Sequence, residues 1–330
     1  MTSFSVLVLM KESAAVIHRF AAYYSRIGAA QTVIFIDGPI GPELEAGLDR
    51  DLLAAQRAEL VPCDEAFWAT APGDRPQDIQ DRQRAIYLMG QARCTSDWAL
   101  ICDADEFVID RMPVPEFLGA LPDDVSSVAI APVEAVWGPG EDINAAFGST
   151  WFRRPDIASS RLEKRLQLRS LWLYGPLGIL FRSGILSHAV GKQFIRTRAH
   201  FDVIDLHFST VDGKRLTRRA VDIDPALAQV ELAHFDAISF ERWHAKSLRR
   251  VLHDTRTAMM RRSGRRRLQL RIFDLLRRFG KAGPRWFYRR LYTLTPRQTR
   301  LLMQRDMAFQ MHLFEDQAPG AAGQSARSRA

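Results

Sequence analysis

Apolar and polar positions alternate in blocks along the first 140 residues, and the blocks read in turn as strand and helix. Phe4–Leu9 is a short apolar run of strand length. Ser13–Ile27 then sets Ala15, Ile17, Phe20, Tyr24 and Ile27 at roughly helical spacing. Thr32–Ile36 is a second apolar run, closed by the turn-forming Asp37-Gly38-Pro39. Glu43–Arg57 has helical character despite Gly47, Glu59–Pro62 that of a short strand, and Gln77–Arg93 that of a helix with Ile79, Ile86, Met89 and Gly90 turned inward. Trp98–Cys102 and Ser127–Val136 read as further strands. This order predicts an α/β fold with a mainly parallel sheet, right-handed crossovers and flanking helices.

Beyond Val136 the pattern changes. Residues 138–165 are rich in Gly, Pro and polar side chains and predict a long active-site loop. Gln193–Ile195 and Val203–Phe208 read as short strands, and from Ser239 onward the spacing turns helical. Residues 317–330 lack bulky apolar side chains and predict a disordered tail. The expected organisation is a catalytic domain over 1–238, a basic helical extension over 239–316, and the tail. No internal repeat is visible.

Composition adds limits. A chain of 330 residues with 47% hydrophobic and 25% charged residues has the make-up of an ordinary globular protein of one large or two modest domains. No apolar stretch approaches the length of a membrane span. The run Phe4–Met10 is too short for a signal sequence and no basic segment precedes it, so the cytoplasm is the expected location. Cys63, Cys94 and Cys102 lack metal-ligand spacing and read as reduced, packed thiols.

The net charge of +8 is uneven: residues 241–305 hold twenty Lys/Arg against three Asp/Glu. Such a segment suggests an anionic partner: a membrane surface, nucleic acid or a phosphorylated substrate. No nucleic-acid module is recognisable, so nucleic acid is not expected. Leu268, Ile272, Leu275, Leu276 and Phe279 repeat at helical spacing there, followed by Trp286-Phe287-Tyr288 and Leu291. Two readings stand: a helical appendage packed on the catalytic domain with a solvated arginine face, or a surface lying on an anionic bilayer.

The richest chemistry sits at Asp103-Ala104-Asp105-Glu106-Phe107, at the exit of the Trp98–Cys102 run. On a strand, residues i and i+2 project to one side, and open α/β sheets place ligands at strand carboxyl ends. Two carboxylates so close repel, and a hard cation such as Mg²⁺ or Mn²⁺ resolves the conflict while leaving positions for phosphate. An EF-hand loop from Asp103 would need Gly and Glu where Val108 and Val114 stand. A phosphoaspartyl phosphatase would carry the pair near the start of its domain, followed by a small hydroxyl residue.

The order of these elements resembles a glycosyltransferase of the GT-A fold, and within it the family-2-like group whose metal motif reads Asp-x-Asp-Glu-Phe. Lys11-Glu12-Ser13 after the first strand resembles that family's Lys-Asn-Glu in a shifted pattern. His18, Tyr23, Tyr24 and Gly28 occupy the family's helix and following turn, and Arg82-Gln83 lies on the helix before the Asp-x-Asp strand. Trp137 with Phe147-Gly148-Ser149, Gly191–Arg196 followed by His207, and His234-Phe235 through Ser239, Glu241, Trp243 and Lys246 resemble later blocks of the family. Together they cover roughly residues 5–250.

The resemblance implies a metal-dependent hexosyltransferase that moves a sugar from a nucleotide-sugar donor to an acceptor hydroxyl, in polysaccharide or glycoconjugate synthesis. The acceptor is then a saccharide or a lipid-linked group. It implies Asp105 as a metal ligand and catalytic residue, and Asp103 as a shared or water-mediated ligand at the donor. Glu12, Asp37 and Gln83 join the donor site. Asp37 accepts from base or ribose, or is a plain turn aspartate. Lys192 and Arg196 pair with phosphate oxygens or lie on a solvated edge. A distal histidine joins the Mn²⁺ or Mg²⁺, with His207 ahead of His234 as candidate. If the reaction inverts, Glu134, Glu141 or Asp142 takes the acceptor proton, and nothing in the sequence chooses among them. The alternatives are another nucleotide- or phosphate-handling α/β enzyme, such as a nucleotidyltransferase or phosphatase, and a non-enzymatic basic protein that binds membranes or nucleic acid.

Overall fold

The structure, a computed structural model, describes residues 2–156, 163–187, 189–253 and 263–314, with the backbone alone at 163–166. The expected tail, 317–330, lies outside them. The chain forms two compact units: Met1–Ala131 with Val190–Leu232, and Pro132–Ala189 with Ala233–Ala330. They are interleaved in sequence, whereas the sequence pattern places one boundary after residue 238.

The first unit opens with β1 (Phe4–Met10), α1 (Ala14–Arg26), β2 (Gln31–Ile36), α2 (Pro42–Gly47), α3 (Arg50–Ala55), β3 (Ala58–Pro62), α4 (Glu65–Thr70) and α5 (Ile79–Gln91). β4 (Trp98–Cys102), β5 (Glu106–Asp110) and α6 (Val114–Gly119) follow. β1 pairs in parallel with β2 on one side and β4 on the other, and β2 pairs in parallel with β3. The chain therefore fills β2 and β3 before crossing to β4 on the far side of β1. That reversal makes the carboxyl ends of β1 and β4 a switch point in strand order, the place where such sheets receive ligands.

β6 (Ser127–Val136) starts in the first unit and ends in the second, where β7 (Trp151–Arg153) and α7 (Glu163–Tyr174) follow. Back in the first unit, β8 (Lys192–Arg196) lies between β4 and β6, antiparallel to both. β9 (Val203–Ile204), β10 (Ser209–Val211) and β11 (Lys214–Arg215) make a small antiparallel sheet. β12 (Thr217–Arg219) runs parallel to β6, α8 (Ala220–Ile223) follows, and β13 (Val230–His234) pairs with β5. The second unit closes with α9 (Phe240–His253), α10 (Gly264–Leu276), α11 (Ala282–Tyr292), α12 (Pro296–Met303) and β14 (Ala308–Gln310), which is antiparallel to β7. The fold is mixed α/β with a mainly parallel central sheet flanked by helices, as the alternating pattern predicts.

Burial explains the placement. β1 and β4 are buried along their whole length, so they read as unbroken apolar runs. α5 covers the sheet through Ile86 and Tyr87, and at Gly90 it comes so close that a Cβ would lie 3.0 Å from the Phe35 ring. Ile79, expected inside, is exposed in the helix's first turn, after the capping Asp78. Expected Glu43–Arg57 is two helices, because Asp49 leaves helical geometry to cap α3 with its side chain. Val203–Phe208 holds only a two-residue strand, and the expected loop 138–165 contains β7 and the start of α7. In the second unit, Trp243 of α9 sits among Phe273, Phe287, Tyr288 and Tyr292 of α10 and α11. Trp137 joins this core and donates its indole N–H to the Tyr288 hydroxyl at 2.6 Å.

Candidate active site

Asp103, Ala104 and Asp105 form a tight turn between β4 and β5, closed by a backbone bond from Glu106 N–H to the Asp103 carbonyl at 3.1 Å. This corrects the strand-alternation argument: the two aspartates are the first and third residues of a turn, because β5 starts at Glu106. The Glu106 side chain folds back to accept the Asp103 N–H at 2.9 Å. Two tyrosines of α1 brace the far limb: Tyr24 donates to the Glu106 carbonyl at 3.0 Å and Tyr23 to the Val108 carbonyl. Tyr87 of α5 donates to the Cys102 carbonyl at 3.3 Å.

The carboxylates meet a buried cation. Ile101 of β4 pairs with Gln193, so β8 starts beside the end of β4. Its first residue, Lys192, is 1% exposed, with Nζ 2.6 Å from Asp103 Oδ2 and 3.4 Å from Glu106 Oε2. Burial alone would lower the Lys192 pKa, but Asp103 and Glu106 outweigh it and hold the amine above its ordinary value, so it is charged. Gln83, on the inner face of α5, donates to Asp103 Oδ1 at 3.1 Å. Asp105 is partly exposed beside this cluster.

A cleft of about 510 Å³ lies against the same unit, lined by Lys11 after β1, Asp37-Gly38-Pro39 after β2, Cys63 and Asp64 after β3, Trp68 of α4, and Arg75. That volume suits a small ligand. Arg75 donates to Asp37 Oδ1 at 2.9 Å and Arg82 to Oδ2 at 3.0 Å, so both carboxylate oxygens already accept guanidinium bonds. Burial, with Asp37 adding to it, pushes the Cys63 thiol up to about 12, which leaves it neutral and unreactive.

The structure thus brings Asp103, Asp105, Gln83 and Lys192 together. Glu12 follows β1 at the same sheet end, partly buried. His207 lies between β9 and β10, not on a strand. Its Nδ1 is 2.9 Å from the Gly191 carbonyl, one residue before Lys192. A carbonyl accepts only an N–H, so Nδ1 is the donor in this contact. Arg196 pairs with Trp98, at the other end of β4, and lies apart from the cluster. Four residues along a strand span roughly 13 Å. Its guanidinium donates to the Val125 carbonyl at 2.8 Å and lies 4.6 Å from the Trp98 ring.

Glu134 and Asp142 belong to the second unit. Glu134 is buried and ion-paired with Arg153 at 2.5 Å, and it accepts the backbone N–H groups of Leu186 and Ser187. Asp142 is exposed and accepts from Asn144 backbone and side chain at 3.0 and 2.9 Å. Neighbouring Glu141 accepts the Gly138 N–H at 2.6 Å and the Thr150 N–H at 3.0 Å.

Three contributors escape the sequence pattern: Lys192 as an internal counter-ion, Glu106 as a backbone acceptor, and Arg75 in the cleft. For Glu106 a signal exists, a glutamate three residues after the turn's first position. Arg75 sits in a polar stretch, Gly73-Asp74-Arg75-Pro76, with no distinguishing mark.

A divalent cation fits this donor set in one manner. Among the described residues, no three His, Cys, Asp or Glu converge as a ready cage. Asp103 is committed in part to Lys192 and Gln83. One or two carboxylates, with ligand phosphate and water completing the shell, is nevertheless the usual arrangement for Mg²⁺.

No protein-family model matches the chain, and no curated protein matches it. Among solved structures, it is similar to glucosyl-3-phosphoglycerate synthase from Mycobacterium tuberculosis in complex with Mn²⁺, UDP and glucosyl-3-phosphoglycerate. The identity is 15% over 59% of this chain and 57% of that one, with a TM-score of 0.29. It is also similar to a mannosyltransferase from Pyrobaculum calidifontis in complex with GDP-Man and Mn²⁺. There the identity is 13% over 39% of this chain and 35% of that one, again with a TM-score of 0.29. The overlap spans little more than half of the first and about a third of the second. Likeness this slight carries no argument about activity.

Proposed function

We propose that the chain is a glycosyltransferase of GT-A type, moving a sugar from a nucleotide-sugar donor to an acceptor hydroxyl. The observation that carries the reading is the Asp103–Asp105 turn at the carboxyl end of β4, where the strand order reverses. Asp105 is the proposed metal ligand, with Asp103 sharing the cation and His207 its distal ligand through Nε2. A bound Mn²⁺ or Mg²⁺ supplies positive charge to the leaving diphosphate. Lys192 and Gln83 hold Asp103 in orientation, and the Lys11–Arg75 cleft takes the nucleoside. Glu134 and Glu141 each have both oxygens accepting hydrogen bonds, whereas Asp142 accepts through Oδ1, so Asp142 is the proposed base. The proposed acceptor is a saccharide or lipid-linked hydroxyl, and the basic segment 241–305 makes an anionic membrane surface a further proposed partner.

The test is calorimetry of UDP and GDP with and without Mn²⁺, supported by thermal shift. Binding strengthened by metal, with a raised melting temperature, is the expected result. Absence of binding by any nucleoside diphosphate in either condition rejects the reading. Turnover of phosphomonoesters instead would move the protein to the phosphatase alternative.

A further inference from the structure

The second unit carries an outward face that its own core does not use. α10 buries Gln269, Leu270 and Phe273. The opposite side presents Leu268, Arg271 and Leu275, then Phe279 in the turn that follows, at positions i, i+3, i+7 and i+11. The apolar stripe seen in the sequence divides here: Ile272 and Leu276 pack against the core, while Leu268, Leu275 and Phe279 point to solvent, Leu275 55% and Phe279 71% exposed. α11 repeats the arrangement. Phe287, Tyr288 and Leu291 are buried, while Trp286 is 50% exposed and Arg289 and Arg290 follow it outward. The two helices are in close contact. A Cβ at Gly283 would lie 2.3 Å from the Leu276 carbonyl oxygen, which only glycine permits.

Single exposed apolar side chains are ordinary, but a leucine, phenylalanine and tryptophan set on two touching helices is not. The charge around them is one-sided. Residues 263–292 hold ten Lys/Arg and one acid, Asp274. Arg266 is committed to buried Asp236, Arg277 to Asp274, and Lys281 to Glu241. Arg271, Arg278 and Arg289 are exposed and have no acidic partner among the described residues, and Arg290 lies 5.8 Å from the Trp286 ring.

We infer that this face, Leu275, Phe279 and Trp286 with Arg271, Arg278, Arg289 and Arg290, docks the protein on an anionic lipid bilayer. The three apolar side chains enter the headgroup boundary, and the arginines pair with lipid phosphates while their stems lie along the apolar surface. No described helix is long and apolar enough to cross a membrane, so the contact is peripheral. The inference stands apart from the transfer reaction and needs no nucleotide.

The experiment is co-sedimentation of the full chain with phosphatidylglycerol–phosphatidylcholine vesicles and with pure phosphatidylcholine vesicles, at 0.05 and 0.5 M NaCl. Tryptophan emission is followed alongside. Strong binding to the anionic vesicles alone, at least tenfold weaker at high salt and accompanied by a blue shift, is expected. R271Q/R278Q/R289Q/R290Q should weaken it tenfold or more. F279S/W286S should bind through charge alone, weakly and without the shift. All replaced side chains are exposed, so an unchanged melting temperature verifies the fold. Equal or negligible binding to both vesicle types overturns the inference, as does full binding by the arginine variant. So does a salt-independent dimer, lost in F279S/W286S, without vesicle binding. Salt-sensitive oligonucleotide binding in place of vesicle binding overturns it as well.

Discussion

Lys192 Nζ lies 2.6 Å from Asp103 Oδ2, and this contact ties the first carboxylate of the β4–β5 turn to a charge the chain itself provides. A turn that would otherwise spread under its own repulsion is held shut from below. Lys192→Met should leave buried Glu106 and part-buried Asp103 without a counter-ion. Breaking such a pair costs about 3 kcal/mol. Urea unfolding at neutral pH measures it, and a loss below roughly 1 kcal/mol would show that the cluster tolerates the missing charge.

Asp105 is the third residue of the same turn and is partly exposed. Asp105→Asn keeps its shape and removes a charge, so turnover should fall about a hundredfold or more while stability stays near the parent. Metal-dependent nucleotide affinity should fall with it. Activity close to the parent in a folded variant would remove Asp105 from the reaction.

Asp37 links two arginines, Arg75 and Arg82, at the cleft. Asp37→Ala should weaken nucleoside diphosphate affinity by about 1–3 kcal/mol if a buried hydrogen bond is lost. It should also lower stability, because Arg82 is nearly buried. Titration calorimetry together with thermal unfolding separates the two effects. A stability loss with unchanged affinity would assign Asp37 to the turn alone.

Glu134 and Asp142 separate by the same logic. Glu134→Gln should cost about 3 kcal/mol, since it strands a fully buried Arg153. Asp142→Asn, at an exposed turn, should change stability by less than about 0.5 kcal/mol. If Asp142 is the base, its variant loses turnover at constant donor affinity.

Asp236 sets a pH dependence. Burial acts to raise its pKa, but Lys246 and Arg266, at 3.0 and 2.9 Å, outweigh it and hold the carboxyl well below its usual range. A depressed folded pKa contributes stability that is present above the unfolded value of about 4 and lost as pH falls below it. Urea midpoints at pH 6 and pH 3 should therefore differ less in Asp236→Asn than in the parent. An identical acid limb in both would refute the linkage.

The strands that carry the site were legible because they are buried on both faces: Trp98–Cys102 and Ser127–Val136 have the bounds that the apolar pattern predicts. β5 was hidden because it opens on a buried glutamate, a residue whose charge reads as surface until Lys192 is known to lie beside it. Lys192 and Arg196 looked alike in sequence as the basic residues on either side of one short strand, Gln193–Ile195. They separate in space because four extended residues carry them to opposite ends of β8. β9 to β12 have two or three residues each, too short for any periodicity, and several of those residues are charged. The apolar stripe of α10 was visible as a period, but not its division into Ile272 and Leu276 packed on the core and Leu268, Leu275 and Phe279 turned to solvent. Periodicity gives the spacing of apolar side chains, not which of them look inward.

Trp137 and Tyr288 are joined by a hydrogen bond across 151 residues of chain. On a ribosome adding about 5–20 residues each second, the tryptophan emerges roughly 8–30 s before the tyrosine that accepts its hydrogen bond. Until α10 emerges, Trp137, and later Leu180 and Phe181, lack the α10–α11 aromatic rings that share their core in the finished chain. The nascent chain is therefore most vulnerable to aggregation after its sheet strands have been made and before its last helices arrive. Release of the chain near residue 238 would make that exposure permanent.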